Sequence, residues 1–155
     1  MEQMTFLDFF AGIGGFRKGF ELCGMRCVGH CEIDKYADRS YRAIHDVKED
    51  EWYGEDITKT DPADLRESIS GQADSRVRTF LYLAGNEGLQ ASEALSFLKS
   101  LAPQRHACRR STEWLVLENV KNLLSVNRGW DFATVLHSLA EIGYHIEYGL
   151  LTAWS

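Results

Sequence analysis

Three glycines within four residues, placed directly after a short apolar run, constrain this chain more than any other feature. Thr5-Phe6-Leu7-Asp8-Phe9-Phe10 leads through Ala11 into Gly12-Ile13-Gly14-Gly15. An apolar run of that length bounded by glycine reads as a buried strand closing on a tight turn. From Phe16 to Leu22 the spacing of Phe16, Gly19 and Phe20 is helical, and Cys23-Gly24 ends the helix. Arg26 to Cys31 reads as a second strand. Asp34 caps a helix whose Tyr36, Ala37, Tyr41 and Ile44 fall near one face. Trp52 to Ile57 holds a short third strand, and Asp61-Pro62-Ala63-Asp64 opens another helix with proline in its first turn. Much later, Trp114-Leu115-Val116-Leu117 is a buried strand, Trp130 to Ile142 an amphipathic helix and Tyr144 to Thr152 a final strand. Strand alternating with helix requires a parallel sheet covered on both faces, so the fold class is α/β.

Between Ser70 and Thr112 the alternation lapses. Residues 91 to 102 have helical spacing, but no convincing strand precedes them. Charge lapses with the pattern: residues 75 to 112 hold six Lys/Arg against two acids, in a chain whose net charge is −6. That overall charge argues against a domain gripping nucleic acid by electrostatics alone. The length of 155 residues and the hydrophobic share of 45% suit one globular domain with a real core. No run of 18 apolar residues exists, and MEQMTFLDFF lacks the pattern of a signal peptide. A cytoplasmic location, no membrane partner and reduced cysteines are therefore expected. Cys23, Cys27 and Cys31 are spaced four apart beside His30, but no second C-x-x-C half accompanies them, so no metal site is expected.

Candidate site residues gather where strands end. Glycines at a strand-to-helix turn let a ligand approach the backbone, while the helix start offers N–H groups. The dinucleotide pattern G-x-G-x-x-G fails here because Arg17 stands in the last glycine's place. The turn then suits a nucleoside lying along it, or serves only for tight packing. Glu32 ends the second strand about twenty residues on, where this fold places an acid on ribose hydroxyls. Ile33 adds an apolar contact for a purine, and Asp56 beside Ile57 offers either an acceptor for an exocyclic amine or a helix-entry cap. Glu118-Asn119 ends the Trp114 strand. A partly buried glutamate there can stay protonated and donate a proton, or can merely hold a loop.

In order, Phe10-Ala11-Gly12-Ile13-Gly14-Gly15-Phe16-Arg17, Glu32-Ile33-Asp34-Lys35-Tyr36-Ala37, Asp56-Ile57 and Glu118-Asn119-Val120 resemble the DNA cytosine-5 methyltransferases. The matching stretches cover about 1–72 and 113–152. The resemblance implies a Rossmann-like methyltransferase sheet and S-adenosyl-L-methionine as cofactor. It implies binding by Phe10, Ala11, Gly12, Ile13, Gly14 and Gly15, with Glu32 on the ribose, Ile33 against adenine, and Asp56 and Ile57 beside its ring. It implies double-stranded DNA as partner, with the target cytosine flipped out of the duplex. A cysteine thiolate adds to C6 of that base and so activates C5 toward the methyl group. Glu118 would protonate or hold N3 of the base, supported by Asn119.

The expected Gly-Phe-Pro-Cys-Gln loop is absent. Cys108 is the one cysteine between the Asp56 and Glu118 motifs, and it sits too close to the Glu118 strand to replace it. The family's Gly-Phe-Pro-Cys-Gln-Asp codons, read one base later, permit Asp-Ser-Arg-Val-Arg-Thr, which is Asp74 to Thr79. Ser92 to Lys99 can stand in the same way for the family's next motif. Residues of about 74 to 112 thus read as family DNA translated out of frame. The expected organisation is a cofactor-binding half at 1–72, a non-family segment at 73–112 and a base-binding half at 113–155. The fourth strand is then in question, and so is the C-terminal part, because Leu150 to Ser155 ends where the family continues into a DNA-reading domain. The expected function is the family's methyl transfer, with this chain inactive. The alternatives are a non-catalytic cofactor-binding remnant, or one part of a split enzyme completed by another chain.

Overall fold

The computed structural model describes residues 3–61, 63–65, 79–85, 114–119 and 121–151. Five parallel strands are present: β1 Thr5–Phe9, β2 Arg26–Cys31, β3 Trp52–Gly54, β4 Thr79–Gly85 and β5 Trp114–Asn119. Their order is β3-β2-β1-β4-β5. The chain steps outward from β1 to β3 and then returns to the other side of β1. This reversal makes the C-terminal end of β1 a topological switch point, the place where such sheets bind ligands. Three helices lie wholly within the described residues, α1 Gly15–Leu22, α2 Lys35–Ile44 and α3 Trp130–Glu141, and residues 63–65 are helical as well. Short 3₁₀ turns lie at Ile57–Lys59, Lys121–Leu124 and Val126–Gly129. None of the described helices is long and apolar enough to cross a membrane.

β1 is buried along its whole length, as its central place requires. Its alternation divides the core. Phe6 packs with Met25, Cys27 and Phe20 beneath α1, while Leu7 and Phe9 pack with Val28, Cys31, Ile57, Leu65 and α3's Leu139 on the other face. Burying each such side chain contributes roughly 1.5–3 kcal/mol. β1's three apolar residues alone therefore bring a gross gain comparable with the low end of a domain's net margin, about 5 kcal/mol. The β1–β2 register slips by one residue between Phe6 and Leu7. That slip lets Cys27 and His30, an odd number of residues apart, both reach α2's Tyr41, at 3.8 Å for the thiol and 4.2 Å between ring centroids.

The α/β Rossmann-like sheet agrees with the sequence reading, and several elements match closely. Arg26–Cys31 is the second strand, and Asp34 caps α2 by accepting from Tyr36 N at 2.8 Å and Ala37 N at 3.0 Å. Two details differ. The fourth strand is present at Thr79–Gly85, between β1 and β5. Its Thr-Phe-Leu-Tyr-Leu run is rich in strand formers, a signal set aside because the stretch from about 74 to 112 reads as out of frame. The final strand expected over Tyr144 to Thr152 is not formed in the described part, 144–151. Its alternation is real, since Tyr144 and Ile146 pack on the core while the side chains of His145 and Glu147 are 91% exposed. The segment has the period of a strand without a ladder. The helix read over residues 91 to 102 lies outside the described residues.

One buried ion pair joins the elements around β1. Arg17 and Glu51 each keep only 2% side-chain exposure and pair through two hydrogen bonds of 2.7 and 2.9 Å. Arg17 also donates to Glu21 at 2.8 Å, to Tyr41 Oη at 3.3 Å and to Asp46 O at 3.3 Å. Burial disfavours its charge, but the Glu51 bonds, together with Cys27 and Tyr41, outweigh this and raise its pKa. Removing one partner of such a pair strands the other charge in the interior. Arg17→Ala should lower unfolding free energy in urea by about 3–5 kcal/mol. A loss below about 1 kcal/mol would contradict a buried, fully used guanidinium.

Candidate functional site

The turn after β1 is built from backbone shapes that few side chains allow. Phe10, Gly12 and Gly14 all have positive φ, at 56°, 55° and 83°. Ala11 N donates to Cys31 O at 3.1 Å, and Gly14 N to Ala11 O at 2.8 Å, so the turn is sewn to β2 and closed on itself. Gly12 N donates to Glu32 Oε2 at 2.7 Å. Asp34 N donates to the other oxygen, Oε1, at 2.8 Å. Two N–H groups thus orient the Glu32 carboxylate, and each oxygen keeps acceptor capacity for an incoming hydroxyl. A Cβ on Gly12 would meet nothing within 4 Å, so open space lies beside this backbone.

The rim continues toward β3. Glu32 N donates to Gly54 O at 3.1 Å, bringing the end of β3 beside the acid. A cleft of about 470 Å³ is lined by Ile33, Glu55, Asp56, Lys59 and Thr60. Ile33 and Ile13 are each 60% exposed, offering apolar surface without a core to cover it. Asp56 is a working cap: Oδ1 accepts from Thr58 N at 3.0 Å and Thr58 Oγ1 at 2.6 Å, and Oδ2 pairs with Lys59 at 2.9 Å. Those bonds, led by Thr58, hold its carboxyl down to about 2. Ile57 points into the core and leaves only its backbone near the cleft.

Strand register places the Glu118 motif on the same edge of the sheet. Phe9 pairs with Leu83, and Leu83 with Leu117, so Glu118 follows one step beyond, level with Phe10. Two strand spacings separate their backbones, roughly 10 Å. Contrary to the partly buried acid expected from sequence, the Glu118 side chain is exposed. β5 is the edge strand among the described residues. Asn119 completes β5 opposite Gly85.

Behind the turn lie residues that sequence reasoning missed. Asp8 on β1 is 1% exposed, with Tyr41 Oη donating to Oδ2 at 3.4 Å. Its Oδ1 has no hydrogen-bond partner among the described residues. Burial pushes this carboxyl up to about 7, against the pull of Tyr41 and Arg17, and the Glu32 charge adds to the rise. His30, opposite Asp8 in the β1–β2 register, lies fully buried with Nε2 2.9 Å from Asp38 Oδ1. Burial also lowers the pKa of His30. His45 Nε2 sits 3.1 Å from Ile13 O, at the heart of the turn. The signals were present in part: Arg17 breaks the glycine pattern, and Tyr41 and His45 are four apart along one helix face.

The described cysteines offer no nucleophile at this rim. Burial pushes the Cys27 thiol up to about 12. Burial, with the Glu32 and Asp56 charges, does the same to Cys31. Cys23 is exposed, at the far end of α1 from the glycine turn. Cys108 lies outside the described residues.

A glycine turn, an acid at the next strand's end and a neighbouring cleft thus make up the candidate site of a Rossmann-like parallel sheet. The family model of the C-5 cytosine-specific DNA methylases matches residues 4–73 and 103–155, and the chain belongs to that family. Over 151 residues it is 34% identical to the type II methyltransferase M.BsuFI of Bacillus subtilis, covering 97% of this chain and 35% of that protein. Over 149 residues it is 33% identical to M.NlaX of Neisseria lactamica, covering 95% of this chain and 46% of the relative. The chain thus spans less than half the length of these relatives. Its fold resembles that of the S. pombe Dnmt2 methyltransferase, with a TM-score of 0.60 at 16% identity, covering 88% of this chain and 40% of that one. It likewise resembles the Entamoeba histolytica methyltransferase EhMeth, with a TM-score of 0.62 at 14% identity, covering 95% and 46%.

The raised Asp8 pKa has a definite sign. The folded state holds the proton that the unfolded state releases near 3.8, so this group's stabilising contribution is complete below about pH 4. It declines as pH rises to about 7, by on the order of 4 kcal/mol in total. Asp8→Asn cannot ionise. The stability of Asp8→Asn minus that of the wild type, from urea titrations at pH 4 to 8, should grow across this window and then level off. A difference independent of pH would show that Asp8 is not held protonated.

Proposed function

We propose that this chain forms the S-adenosylmethionine-binding core of a DNA cytosine-5 methyltransferase and transfers no methyl group by itself. The observation that carries the reading is the Gly12 N–H bond to the Glu32 carboxylate beside open space and a cleft. The fit is chemical. A carboxylate held by two N–H groups accepts from ribose hydroxyls, and exposed Ile33 and Ile13 give a purine ring apolar contact. Asp56 keeps the Ile57–Lys59 turn in place, and its remaining lone pairs accept from an exocyclic amine. When bound, the cofactor supplies an electrophilic methyl group for C5 of a cytosine. Phe10, Ala11, Gly14 and Gly15 shape the turn along which it lies.

Glu118, at the same sheet edge, is the residue proposed to hold or protonate N3 of a cytosine flipped from double-stranded DNA, with Asn119 as its support. A cytoplasmic location goes with that substrate. Inactivity is supported by the thiols among the described residues: two are buried in a high-pKa state and one lies away from the turn. It is supported also by the break in family matching over residues 74–102, which covers most of the stretch, about 74 to 112, that reads as out of frame. The nucleotide sequence across codons 70 to 115 tests that point, since a single-base shift should restore Gly-Phe-Pro-Cys-Gln.

In equilibrium dialysis with tritiated cofactor, the chain should bind, and Glu32→Ala should weaken binding about 10- to 100-fold, the worth of hydrogen bonds to a charged group. Tritium should not appear in cytosine-containing duplex DNA. Incorporation above background that is lost in Glu118→Ala would overturn inactivity. Incorporation only on mixing with a second chain carrying the cysteine loop would favour the split enzyme. A wild-type chain that binds nothing would overturn the cofactor reading.

A further inference from the structure

α1 begins without a side-chain cap. Its N-cap is Gly14, in the left-handed region. A helix start normally gains from a Ser, Thr, Asp or Asn oxygen accepting its free N–H groups. Here a side chain in that role would stand between the first turn of α1 and anything bound along Gly12 to Gly15. The turn must instead be held from its other side.

His45 is in a position to do so. It is the C-cap of α2, 7% exposed, and its backbone N–H closes that helix on Tyr41 O at 2.9 Å. Its ring packs on Tyr41 with centroids 4.8 Å apart, and Nε2 lies 3.1 Å from the carbonyl oxygen of Ile13. A carbonyl only accepts, so Nε2 carries the proton and donates. The approach is so close that a Cβ on Gly14 would run into the imidazole and come within 2.8 Å of the Tyr41 ring. Next along the chain, Asp46 O accepts from Arg17 at 3.3 Å, binding the same segment to the first turns of α1. α2 thus touches both walls of the site. Its N-cap residue, Asp34, donates a backbone N–H to Glu32, and its C-cap residue, His45, holds the peptide that precedes Gly14.

We propose that His45 is a positioning residue for the adenosyl ligand, fixing the Ile13–Gly14 peptide through Nε2–H so that the uncapped start of α1 keeps its binding shape. The role rests on the cofactor reading above. His45 does not touch the reacting atoms; it acts through the backbone. The contacts of its ring, with Ile13, Gly14 and Tyr41, lie in the turn and α2, so loss of its hydrogen bond leaves Glu32, Ile33 and the cleft residues in place.

The test is calorimetric titration of S-adenosylhomocysteine into wild type, His45→Phe, His45→Gln and Glu32→Ala, with thermal melts of each. His45→Phe keeps a ring against Tyr41 and loses the donor. It should weaken binding about fivefold to tenfold, the worth of one hydrogen bond. His45→Gln can still donate to Ile13 O and should recover binding to within about threefold of wild type, by the same measure. Equal affinity of His45→Phe and wild type, with Glu32→Ala still weakened, would overturn the positioning role and leave the cofactor reading standing. Equal weakening in Phe and Gln variants would also overturn it. Absence of binding in the wild type would overturn both. Should His45→Phe fail to fold, nitrogen NMR of the wild-type imidazole decides: a protonated Nε2 supports the role, and an unprotonated one contradicts it.

Discussion

A 2.7 Å hydrogen bond from Gly12 N to Glu32 Oε2 joins the end of the central strand to the end of its neighbour, and the candidate site is arranged around it. The bond exists because the chain reverses direction in sheet order at β1, and because Gly12 adopts a φ of 55° that points its N–H toward the acid. It does two things at once. It orients a carboxylate for hydroxyl groups, and it keeps the glycine backbone bare on the side where a nucleoside would lie. From Glu32 the rim runs through Gly54 to the Ile57–Lys59 turn, and across β4 to Glu118.

That polar rim stands on an interior that is itself unusually polar. Asp8, Arg17, His30, Tyr41 and Glu51 meet between β1, β2, α1 and α2, joined mostly through their side chains. Buried ion pairs seldom add net stability over apolar packing, but once present their partners cannot be removed singly. The arrangement fixes α1 and α2 relative to the sheet more strictly than shape alone would. Because α2 carries Asp34 at one end and His45 at the other, a rigid α2 is also a rigid site. Protonation of Asp8 and neutrality of His30 are the conditions under which this layer stays buried, and they oppose each other with pH. Asp8 favours the folded chain as pH falls toward 4, whereas His30 withdraws stability as pH falls below its ordinary 6.5.

Much of this was legible in the residues. The glycine cluster, the β2 strand, the Asp34 cap and the Glu32 position follow from local rules of period and capping, which need no tertiary partner. What was not legible depends on pairing and on distant contacts. β4 was left in question because the stretch around it reads as out of frame, and its place between β1 and β5 is a property of the sheet, not of Thr79 to Gly85. Tyr144 to Ile146 alternates as a strand would, but alternation reports which side is buried and not whether a ladder forms. Glu118 was expected to be partly buried because Trp114-Leu115-Val116-Leu117 reads as an interior strand, while its tip is at an edge. The roles of Asp8 and His45 arise from residues 33 and 32 positions away in sequence, beyond the reach of any local pattern.

The central claim is that Gly12, Glu32 and the residues beside them form one nucleoside cradle. Backbone amide NMR of the labelled chain during titration with S-adenosylhomocysteine tests it most directly, because it locates the ligand without requiring catalysis. The account predicts that the amides of Gly12, Gly14, Glu32, Ile33 and Ile57 shift together along a single binding curve. Shifts confined to other residues, or a Gly12 amide unmoved at saturation, would contradict it.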